Sequence, residues 1–294
     1  METVEDAVIL AGGMGTRMLP ASRYTPKEVL PLLDTPILNH LIWESIYAGV
    51  KRIHLVLSPL KNKILNELID NNGDSYKGIR SDLPRIALNP LPEGIKLIFH
   101  TQKHRGGVGE AISVALKGIK GPFLVLLGDN ILMDKFHSPV NSGPKFASTG
   151  CKKLVERFLE TNIPCAGIKY MPDEELINYG VVELNNNMIC QIIEKPDLKV
   201  LKSNYILCGR YLLPGNYEEI LNKYPVSKYG ELQSIATFEY FIQNGGFSGV
   251  RLDNFEMYDS GDPMTWLKSQ IRYTLKREGK KSEFAEWVKK ILNE

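Results

Sequence analysis

A short apolar strand that runs directly into a glycine loop constrains the fold of this chain most strongly. Residues 7–11 are apolar, and Gly12-Gly13-Met14-Gly15 follows them. A buried strand that ends in a glycine loop is the usual start of a nucleotide-binding α/β fold. Glycines let the backbone approach a ligand closely and direct several N–H groups at one oxyanion. The loop has neither the glycine spacing of the dinucleotide-binding motif nor the Gly-Lys-Ser/Thr ending of a Walker A loop. The glycine loop alone therefore does not identify the ligand.

Strands and helices alternate through the first half of the chain. Further strands are predicted at residues 53–57, 95–100 and 123–127, and helices at residues 37–46, 61–70 and 108–116. The segment at residues 71–93 is rich in Gly, Pro, Asn and Asp and predicts a loop. This alternation predicts a largely parallel sheet with helices on both faces.

The pattern changes after residues 138–150, which we expect to be flexible. The segments that follow predict strands at residues 165–170, 181–184, 188–193, 205–212 and 247–252, and helices at residues 152–160 and 231–243. This half is therefore expected to be α+β. The C-terminal helix carries an apolar stripe at helical spacing: Phe284, Trp287, Val288, Ile291 and Leu292. Such a stripe either packs on the protein's own core or forms a subunit contact.

Composition excludes several classes of protein. The 294 residues include 36 basic and 34 acidic side chains, a net charge of +2, whereas a protein that coats nucleic acid usually has a strong basic excess. The longest apolar runs are of strand length, which argues against a membrane span. The acidic N-terminus lacks the basic region of a signal peptide. The four cysteines form no CxxC pair, so we expect free thiols in a cytoplasmic protein. From the charge balance and the apolar runs we expect no nucleic-acid or membrane partner.

Two cations follow the glycine loop. Arg17 lies two residues beyond Gly15, and its planar guanidinium suits phosphate or pyrophosphate. Lys27 lies in Pro26-Lys27-Glu28-Val29-Leu30-Pro31, a segment that its prolines stiffen. Most lysines are solvated surface residues, but beside a phosphate loop Lys27 would be a second phosphate cation.

Together these two segments resemble a known family. Gly-x-Gly-Thr-Arg-Met-Leu-Pro followed by Pro-Lys-Glu-x-Leu-Pro-Leu-x-Asp-x-Pro-Ile is similar to the sugar-1-phosphate nucleotidylyltransferases, above all the prokaryotic UTP–glucose-1-phosphate uridylyltransferases. The resemblance implies a Rossmann-like nucleotidyltransferase core with a mixed, mainly parallel sheet and an inserted α+β sugar-binding part. It divides the chain into a nucleotide-binding core (1–137), a sugar-phosphate part that returns to the core sheet (138–262) and C-terminal helices (263–294).

The resemblance also implies an activity and its requirements. The expected reaction condenses UTP with glucose 1-phosphate to UDP-glucose and pyrophosphate, with Mg²⁺ as cofactor. The expected partners are these small molecules and, by family habit, further copies of the chain in a homodimer or homotetramer. Catalysis of such a transfer is mainly positioning and charge neutralisation. Mg²⁺ prefers oxygen ligands and usually keeps waters, so one or two carboxylates with the substrate phosphates suffice.

Individual roles follow residue by residue from the same resemblance. Catalytic roles fall on Arg17, Lys27, Asp129 and Lys195. Nucleotide binding falls on Ala11, Gly12, Gly13, Gly15, Thr16, Glu28, Gln102 and Gly107. Sugar-phosphate binding falls on Asn130, Gly180, Glu194, Lys195 and Gly209, with Arg210 and the Gly230–Gln233 motif near the sugar. Metal binding falls on Asp129 and Asp259, with Asp262 as an alternative.

Each assignment has a simpler alternative. Asp129 could cap the turn that follows it, Asp259 could form an Asx turn with Gly261, and Lys195 could be a surface lysine in a turn. Asp262 could be the N-cap of a helix before Pro263.

The chain departs from the uridylyltransferase pattern at several positions. Gly128-Asp129-Asn130 is more like the glucose-1-phosphate thymidylyltransferases, and Glu110 stands where a His is common. A methyl-sized difference between bases is worth only about 1–3 kcal/mol. A dTTP-dependent or broad-specificity enzyme is therefore an alternative, and a non-catalytic nucleotide-sugar-binding regulatory subunit is a more remote one.

Overall fold

A central mixed sheet organises the fold. The computed structural model describes residues 3–61, 83–88, 91–197, 201–277 and 281–293. The strands are β1 (Asp6–Ala11), β2 (Pro31–Leu32), β3 (Thr35–Pro36), β4 (Arg52–Leu57), β5 (Lys96–Thr101), β6 (Phe123–Leu127), β7 (Asn130–Met133), β8 (Cys165–Tyr170), β9 (Gly180–Asn185), β10 (Met188–Glu194), β11 (Tyr205–Leu213), β12 (Ser248–Arg251) and β13 (Glu256–Asp259). Nine of them form one sheet in the order β5-β4-β1-β6-β11-β8-β12-β10-β9.

The helices of the described residues vary in length from four to fourteen residues. They are α1 (Ile37–Tyr47), α2 (Arg85–Leu88), α3 (Gly107–Ser113), α4 (Pro139–Ser142), α5 (Gly150–Thr161), α6 (Tyr217–Leu221), α7 (Val226–Tyr229), α8 (Gln233–Gln243), α9 (Pro263–Lys276) and α10 (Lys281–Leu292). None of the described helices is both long enough and apolar enough to cross a bilayer.

The predicted mixed α/β class is confirmed. The pairs β5–β4, β4–β1 and β1–β6 are parallel, whereas β11 is antiparallel to β6, β8 and β9. Alternate residues of β1 face different cores, because Ala7 and Ile9 pack on the side of α1 and α5 and Val8 on the side of α3 and α8. Helices therefore cover both faces of the sheet, as the alternation predicted.

Some predicted elements differ from the structure. The helix predicted at residues 61–70 lies outside the described residues apart from Lys61, as does most of the loop predicted at 71–93. The expectation of a flexible stretch at residues 138–150 is wrong. Ser138 caps α4 by accepting a hydrogen bond from the Val140 N–H, and the 3₁₀ turn Gly143–Phe146 buries the Phe146 ring.

The carboxyl ends of the parallel strands gather the residues of interest. β1 ends at Ala11 and its neighbour β6 ends at Leu127, so the glycine loop and Asp129 emerge side by side. Gly128 lies so close to β1 that a Cβ there would come within 2.4 Å of the Leu10 carbonyl oxygen. Only glycine allows this approach, which holds Asp129 at the sheet edge.

A two-stranded ribbon adds a residue from far along the chain. β7 and β13 are antiparallel, and Asn130 pairs with Asp259 in their register. Both strands have only four residues, and the sequence did not predict either of them. The ribbon brings Asp259 beside the end of β6, where Asp129 lies.

Candidate active site

A cavity of about 470 Å³ opens above the carboxyl edge of the sheet. It lies at the edge where open α/β sheets bind their ligands. Its lining residues are Leu10, Gly12, Gly13, Met14, Thr16, Lys27, Glu28, Gln102, Arg105, Gly107, Val108, Ala111, Leu127, Gly128, Asp129 and Glu231. The two segments that carry the family resemblance therefore meet in one cavity.

The carbonyl and amide groups of the glycine loop have different partners at this cavity. The carbonyl oxygens of Ala11 and Gly13 accept hydrogen bonds from Lys61 Nζ, and that of Gly15 accepts one from Ser22 Oγ at 2.8 Å. No described residue accepts a hydrogen bond from the N–H groups of Gly13, Met14 or Gly15. A loop with engaged carbonyls and free amides is suited to an anion.

Lys61 anchors the loop through a buried ion pair. Its Nζ lies 2.7 and 2.8 Å from the two carboxylate oxygens of Glu28. Burial raises the pKa of Glu28 and lowers that of Lys61, while their mutual attraction acts in the opposite sense on each. Glu28 lines the cavity, but both of its oxygens are occupied by Lys61. Sequence reasoning missed Lys61, which has no motif signal in a predicted surface helix.

The predicted phosphate cations lie beside the predicted metal ligand. Lys27 Nζ is 2.7 Å from Asp129 Oδ2, and the Lys27 side chain is buried. Burial would raise the pKa of Asp129, but the Lys27 ammonium and the Arg17 guanidinium outweigh it, so this pKa lies below its ordinary value. Arg17 is exposed and its Nη2 lies against Gly261. It is therefore open to an incoming phosphate.

The carboxylates of Asp259 and Asp262 accept hydrogen bonds from different partners and have different roles. Oδ1 of Asp259 accepts a hydrogen bond from the Gly261 N–H, the Asx turn expected as an alternative, whereas Oδ2 accepts none from the described residues. Both oxygens of Asp262 cap α9, with Oδ1 3.1 and 3.0 Å from the amide nitrogens of Met264 and Thr265. Asp262 is thus a helix cap, and Asp259 keeps one oxygen for a ligand.

The carboxylate pair fits a divalent cation, which the family implies. Burial, followed by the negative charge of Asp129, raises the pKa of Asp259 above its ordinary value. Two ionised carboxylates that disfavour each other gain from a shared cation. In the described part of the chain no three His, Cys, Asp or Glu side chains form a metal cluster. A metal held by Asp129 and Asp259 would therefore complete its shell with water or ligand oxygens.

The residues predicted to bind the sugar phosphate, Gly180, Glu194 and Lys195, lie at the paired ends of β9 and β10 and are not among those that line the cavity. Gly180 is opposite Glu194, and a Cβ on Gly180 would lie 2.9 Å from Glu194 Oε2. Lys195 follows with a left-handed φ of 45°, is exposed, and donates its N–H to the Tyr179 carbonyl at 3.3 Å. Burial raises the pKa of Tyr179 to about 12, and the charges of Asp259, Glu175 and Asp129 add to this rise. Tyr179 thus lies near both the Lys195 backbone and the carboxylates of Asp129 and Asp259.

Asn130 is buried beside this pair. Its Nδ2 donates to the Cys208 carbonyl at 3.3 Å, and its Oδ1 has no partner among the described residues. Gly209 lies in the bulge of β11, with φ 71° and the Leu127 side chain against it. The Asn130 Oδ1 is therefore a buried acceptor without a partner among the described residues, and Asn130 is not among the residues that line the cavity.

Arg210 does not contribute to phosphate binding, contrary to the motif in which it lies. The side chain is fully buried, and its Nε and Nη2 lie 3.0 and 2.9 Å from the Glu44 carboxylate. Nη2 also donates to the Asn130 carbonyl at 2.9 Å. Arg210 therefore stabilises the start of β7 through the Asn130 carbonyl, and its buried guanidinium is not accessible to a ligand.

Gln102 and Gly107, which the resemblance assigns to the nucleotide, both line the cavity. Gln102 follows β5, and its Nε2 donates to the Glu110 carboxylate of α3. Gly107 has φ 78°, and a Cβ there would come within 2.6 Å of the Glu231 Cα. Glu231 belongs to the Gly230–Gln233 motif, which the resemblance places near the sugar, and it lines the cavity beside Gly107. Arg105 and Met14 also line it and were not predicted as site residues.

Comparison with known proteins identifies the family to which the chain belongs. The chain is 27% identical over 301 residues to UTP–glucose-1-phosphate uridylyltransferase 1 of Staphylococcus saprophyticus, covering 98% of this chain and 99% of the relative. It is 27% identical to UTP–glucose-1-phosphate uridylyltransferase of Haemophilus ducreyi, covering 97% and 98%. The fold matches UDP-glucose pyrophosphorylase from Acinetobacter baumannii with a TM-score of 0.81 at 24% identity, covering 98% of this chain and 100% of that one. The nucleotidyl transferase family model matches residues 6–266, so the chain belongs to the nucleotidyl transferase family.

Proposed function

We propose that this chain transfers a uridylyl group from UTP to glucose 1-phosphate, giving UDP-glucose and pyrophosphate. The observation that carries the proposal is the carboxylate pair Asp129 and Asp259 beside the cations Lys27 and Arg17 at the glycine-loop cavity. Full-length relatives at 27% identity are named for this activity.

The reaction makes one phosphorus–oxygen bond and breaks another. A phosphate oxygen of glucose 1-phosphate attacks the α-phosphorus of UTP, and the bond from that phosphorus to the bridging oxygen of the β-phosphate breaks. Pyrophosphate leaves with the electron pair. No covalent intermediate with the protein is required, so the protein must align two polyanions and offset their charge.

The triphosphate would bind along the glycine loop. The free amides of Gly13, Met14 and Gly15 suit phosphate oxygens, and Arg17 is exposed beside them. Lys27 has three ammonium donors and uses one on Asp129, which leaves two for the phosphates. These groups would stabilise the charge that develops on pyrophosphate as it leaves.

Glucose 1-phosphate would bind on the β9–β10 side. Lys195 would hold its phosphate, and the Glu194 carboxylate would accept hydrogen bonds from sugar hydroxyls. Asn130, at the start of β7, would complete this sugar-phosphate site. Gly180 leaves the space in front of Glu194 open.

The metal is proposed to be Mg²⁺. Asp129 and Asp259 would hold it, because hard carboxylate oxygens with water and phosphate complete its preferred shell. When bound, it would neutralise phosphate charge and polarise the reacting phosphate.

The remaining expectations enter the same proposal. Residues 1–137 would bind the nucleotide, residues 138–262 the sugar phosphate, and residues 263–294 would form a C-terminal helical part. In α10, Trp287, Ile291 and Leu292 are 55%, 47% and 79% exposed, which supports a contact with another copy in a homodimer or homotetramer. Light scattering of the purified chain, with Trp287→Glu as the comparison, tests this. The four free cysteines agree with the reducing cytoplasm as the proposed compartment.

Pyrophosphate release tests the proposed activity. The chain is given Mg²⁺ and glucose 1-phosphate with UTP, dTTP, CTP, ATP or GTP in parallel, and Asp129→Asn is the matched inactive variant. Release with UTP well above dTTP supports the proposal. Equal or greater release with dTTP keeps the reaction and changes the base. Silence with every triphosphate and with other sugar phosphates favours the regulatory subunit.

A further inference from the structure

A carboxylate fixes the orientation of the Gln102 side chain, which lines the cavity. Gln102 is anchored by its backbone, because its N–H donates to the Leu57 carbonyl at 2.8 Å. Its Nε2 donates to Oε2 of Glu110, which lies on α3. Glu110 makes no ion pair with a described residue, so its carboxylate is free to hold this amide.

The contact determines which atom of Gln102 faces the cavity. An ionised carboxylate can only accept hydrogen bonds, so the amide nitrogen must face Glu110 and the amide oxygen must point away from it. Oε1 accordingly lies over the glycine loop, 2.5 Å from the point that a Cβ on Gly12 would occupy. No described residue donates a hydrogen bond to Oε1. Gln102 therefore presents an unpaired acceptor where Gly12 lines the cavity.

An acceptor at this place distinguishes pyrimidine bases. Uracil and thymine carry a hydrogen on N3 and would donate it to Oε1, whereas cytosine has a lone pair on N3 that would face the same oxygen. An unpaired amide could rotate by half a turn and present its NH₂ to cytosine instead. We propose that Glu110 is a positioning residue for base selection, which holds Gln102 as an acceptor and thereby excludes cytosine nucleotides.

This inference rests on the proposed use of a pyrimidine triphosphate. Binding of UTP, dTTP, CTP and ATP by calorimetry, without sugar phosphate, separates the two claims because no turnover is needed. The test variant is Glu110→Gln, which keeps the size of the side chain but can donate as well as accept. The control is Glu156→Gln, the same change on the exposed side of α5.

The expected result is a change in the ratio of the dissociation constants for UTP and CTP, and not only in the affinity for UTP. In Glu110→Gln, either orientation of the Gln102 amide can be satisfied, so the dissociation constant of UTP should rise only about twofold. The dissociation constant of CTP should fall about tenfold, the effect of one hydrogen bond gained, and the preference for UTP over CTP should therefore fall at least tenfold. The ratio of UTP to dTTP should not change, because both bases carry the N3 hydrogen. Glu156→Gln should bind all four nucleotides as the wild type does.

A swapped pair provides the second test. In Gln102→Glu combined with Glu110→Gln, the amide now donates to the carboxylate, whose other oxygen still faces the base as an acceptor. This double variant should regain most of the preference for UTP over CTP. A cooperative thermal transition shows that the double variant folds. If Glu110→Gln alone does not fold, the ratio of UTP to CTP binding in the double variant decides whether Glu110 positions Gln102.

Two results would overturn the inference. One is a wild-type preference for UTP that Glu110→Gln leaves unchanged or weakens equally for every nucleotide, which would make Glu110 merely structural. The other is a folded double variant that binds CTP as well as UTP. A wild type that prefers ATP to all pyrimidine nucleotides would instead refute the proposed function, and this inference with it.

Discussion

The ammonium nitrogen of Lys27 lies 2.7 Å from Oδ2 of Asp129, although 102 positions separate the two residues. The contact joins the segment after the glycine loop to the end of the central strand β6. It keeps Asp129 ionised while no other cation is present, because the attraction lowers the pKa of that carboxyl. No described residue forms such an ion pair with Asp259, and the pKa of Asp259 is shifted in the other direction.

Replacing Asp259 by Asn should stabilise the metal-free protein while it abolishes turnover. Because the folded-state pKa of Asp259 is raised, its ionised form opposes folding. This penalty is absent below the pKa of the unfolded chain and is complete above that of the folded chain. Asp259→Asn should therefore increase the free energy of unfolding at pH 7 by about 1 kcal/mol, and the gain should shrink toward acid pH.

Urea unfolding in EDTA at pH 7 and pH 5 measures this effect. Asn keeps the Oδ1 acceptor for the Gly261 N–H, so the Asx turn survives. Asp129→Asn is the contrasting variant and should be destabilised, because it loses the attraction to Lys27. Mg²⁺ should raise the melting temperature of the wild type but not of Asp259→Asn. A destabilised Asp259→Asn protein at pH 7 would contradict the proposed repulsion.

Lys61 should matter both for stability and for nucleotide binding. Lys61→Met leaves the buried Glu28 carboxylate unpaired and releases the carbonyls of Ala11 and Gly13. We expect a loss of about 3–5 kcal/mol in the free energy of unfolding and a higher KM for the triphosphate, with a smaller change in the KM for the sugar phosphate. Urea titration and steady-state kinetics measure both.

A surface lysine serves as the control for this prediction. Lys51 pairs with Glu5 at 2.7 Å, but it is well exposed. Lys51→Met should change the free energy of unfolding by less than about 1 kcal/mol. A Lys61→Met protein as stable as Lys51→Met would show that the loop does not depend on its anchor.

Local patterns predicted much of the fold and the linear motifs of the site. The strands β1, β4 and β6 were predicted from their continuous apolar runs, because strands of a parallel sheet are buried on both faces. Arg17 and Asp129 follow glycines in sequence and Lys27 lies in a short Pro-Lys-Glu segment, so their motifs could be read without tertiary information. The structure brings these three into one neighbourhood.

Contacts between distant residues could not be predicted in this way. The four-residue strands β7 and β13 are too short for a periodic signal, yet their pairing places Asp259 beside Asn130. Glu44 would pass for a solvent-exposed residue of an amphipathic helix, but it is buried against Arg210, 166 positions away. Such pairs depend on the packing of whole elements, which the sequence does not display locally.

Lys195→Asn should weaken sugar-phosphate binding selectively. Lys195 has a left-handed φ of 45°, a conformation that Asn tolerates better than Ala, so Asn removes the ammonium with little backbone strain. We expect the KM for glucose 1-phosphate to rise about 10–100-fold and that for UTP to change little. Lys153→Asn, which removes an exposed ammonium from α5, is the control. An equal rise in both constants would contradict the assigned position of Lys195.

His40 should make the protein sensitive to acid. It is 2% exposed, neither ring nitrogen has a partner among the described residues, and its ring packs against Phe146 and Tyr273. Burial lowers the pKa of His40 to about 3, so the unfolded chain binds a proton below pH 6.5 that the folded protein does not. The stability contribution of neutral His40 is thus complete above pH 6.5 and is lost as the pH falls toward 3. At pH 5 this loss amounts to about 2 kcal/mol.

The variant His40→Leu should remove this dependence. We expect it to be at least as stable as the wild type at pH 7, because two unpaired buried nitrogens disappear, and to lose about 2 kcal/mol less than the wild type between pH 7 and pH 5. Urea unfolding at the two pH values measures the difference, and the exposed His104→Leu should behave as the wild type does. If His40→Leu loses as much stability as the wild type, the acid sensitivity arises from other groups and His40 finds a partner in solution.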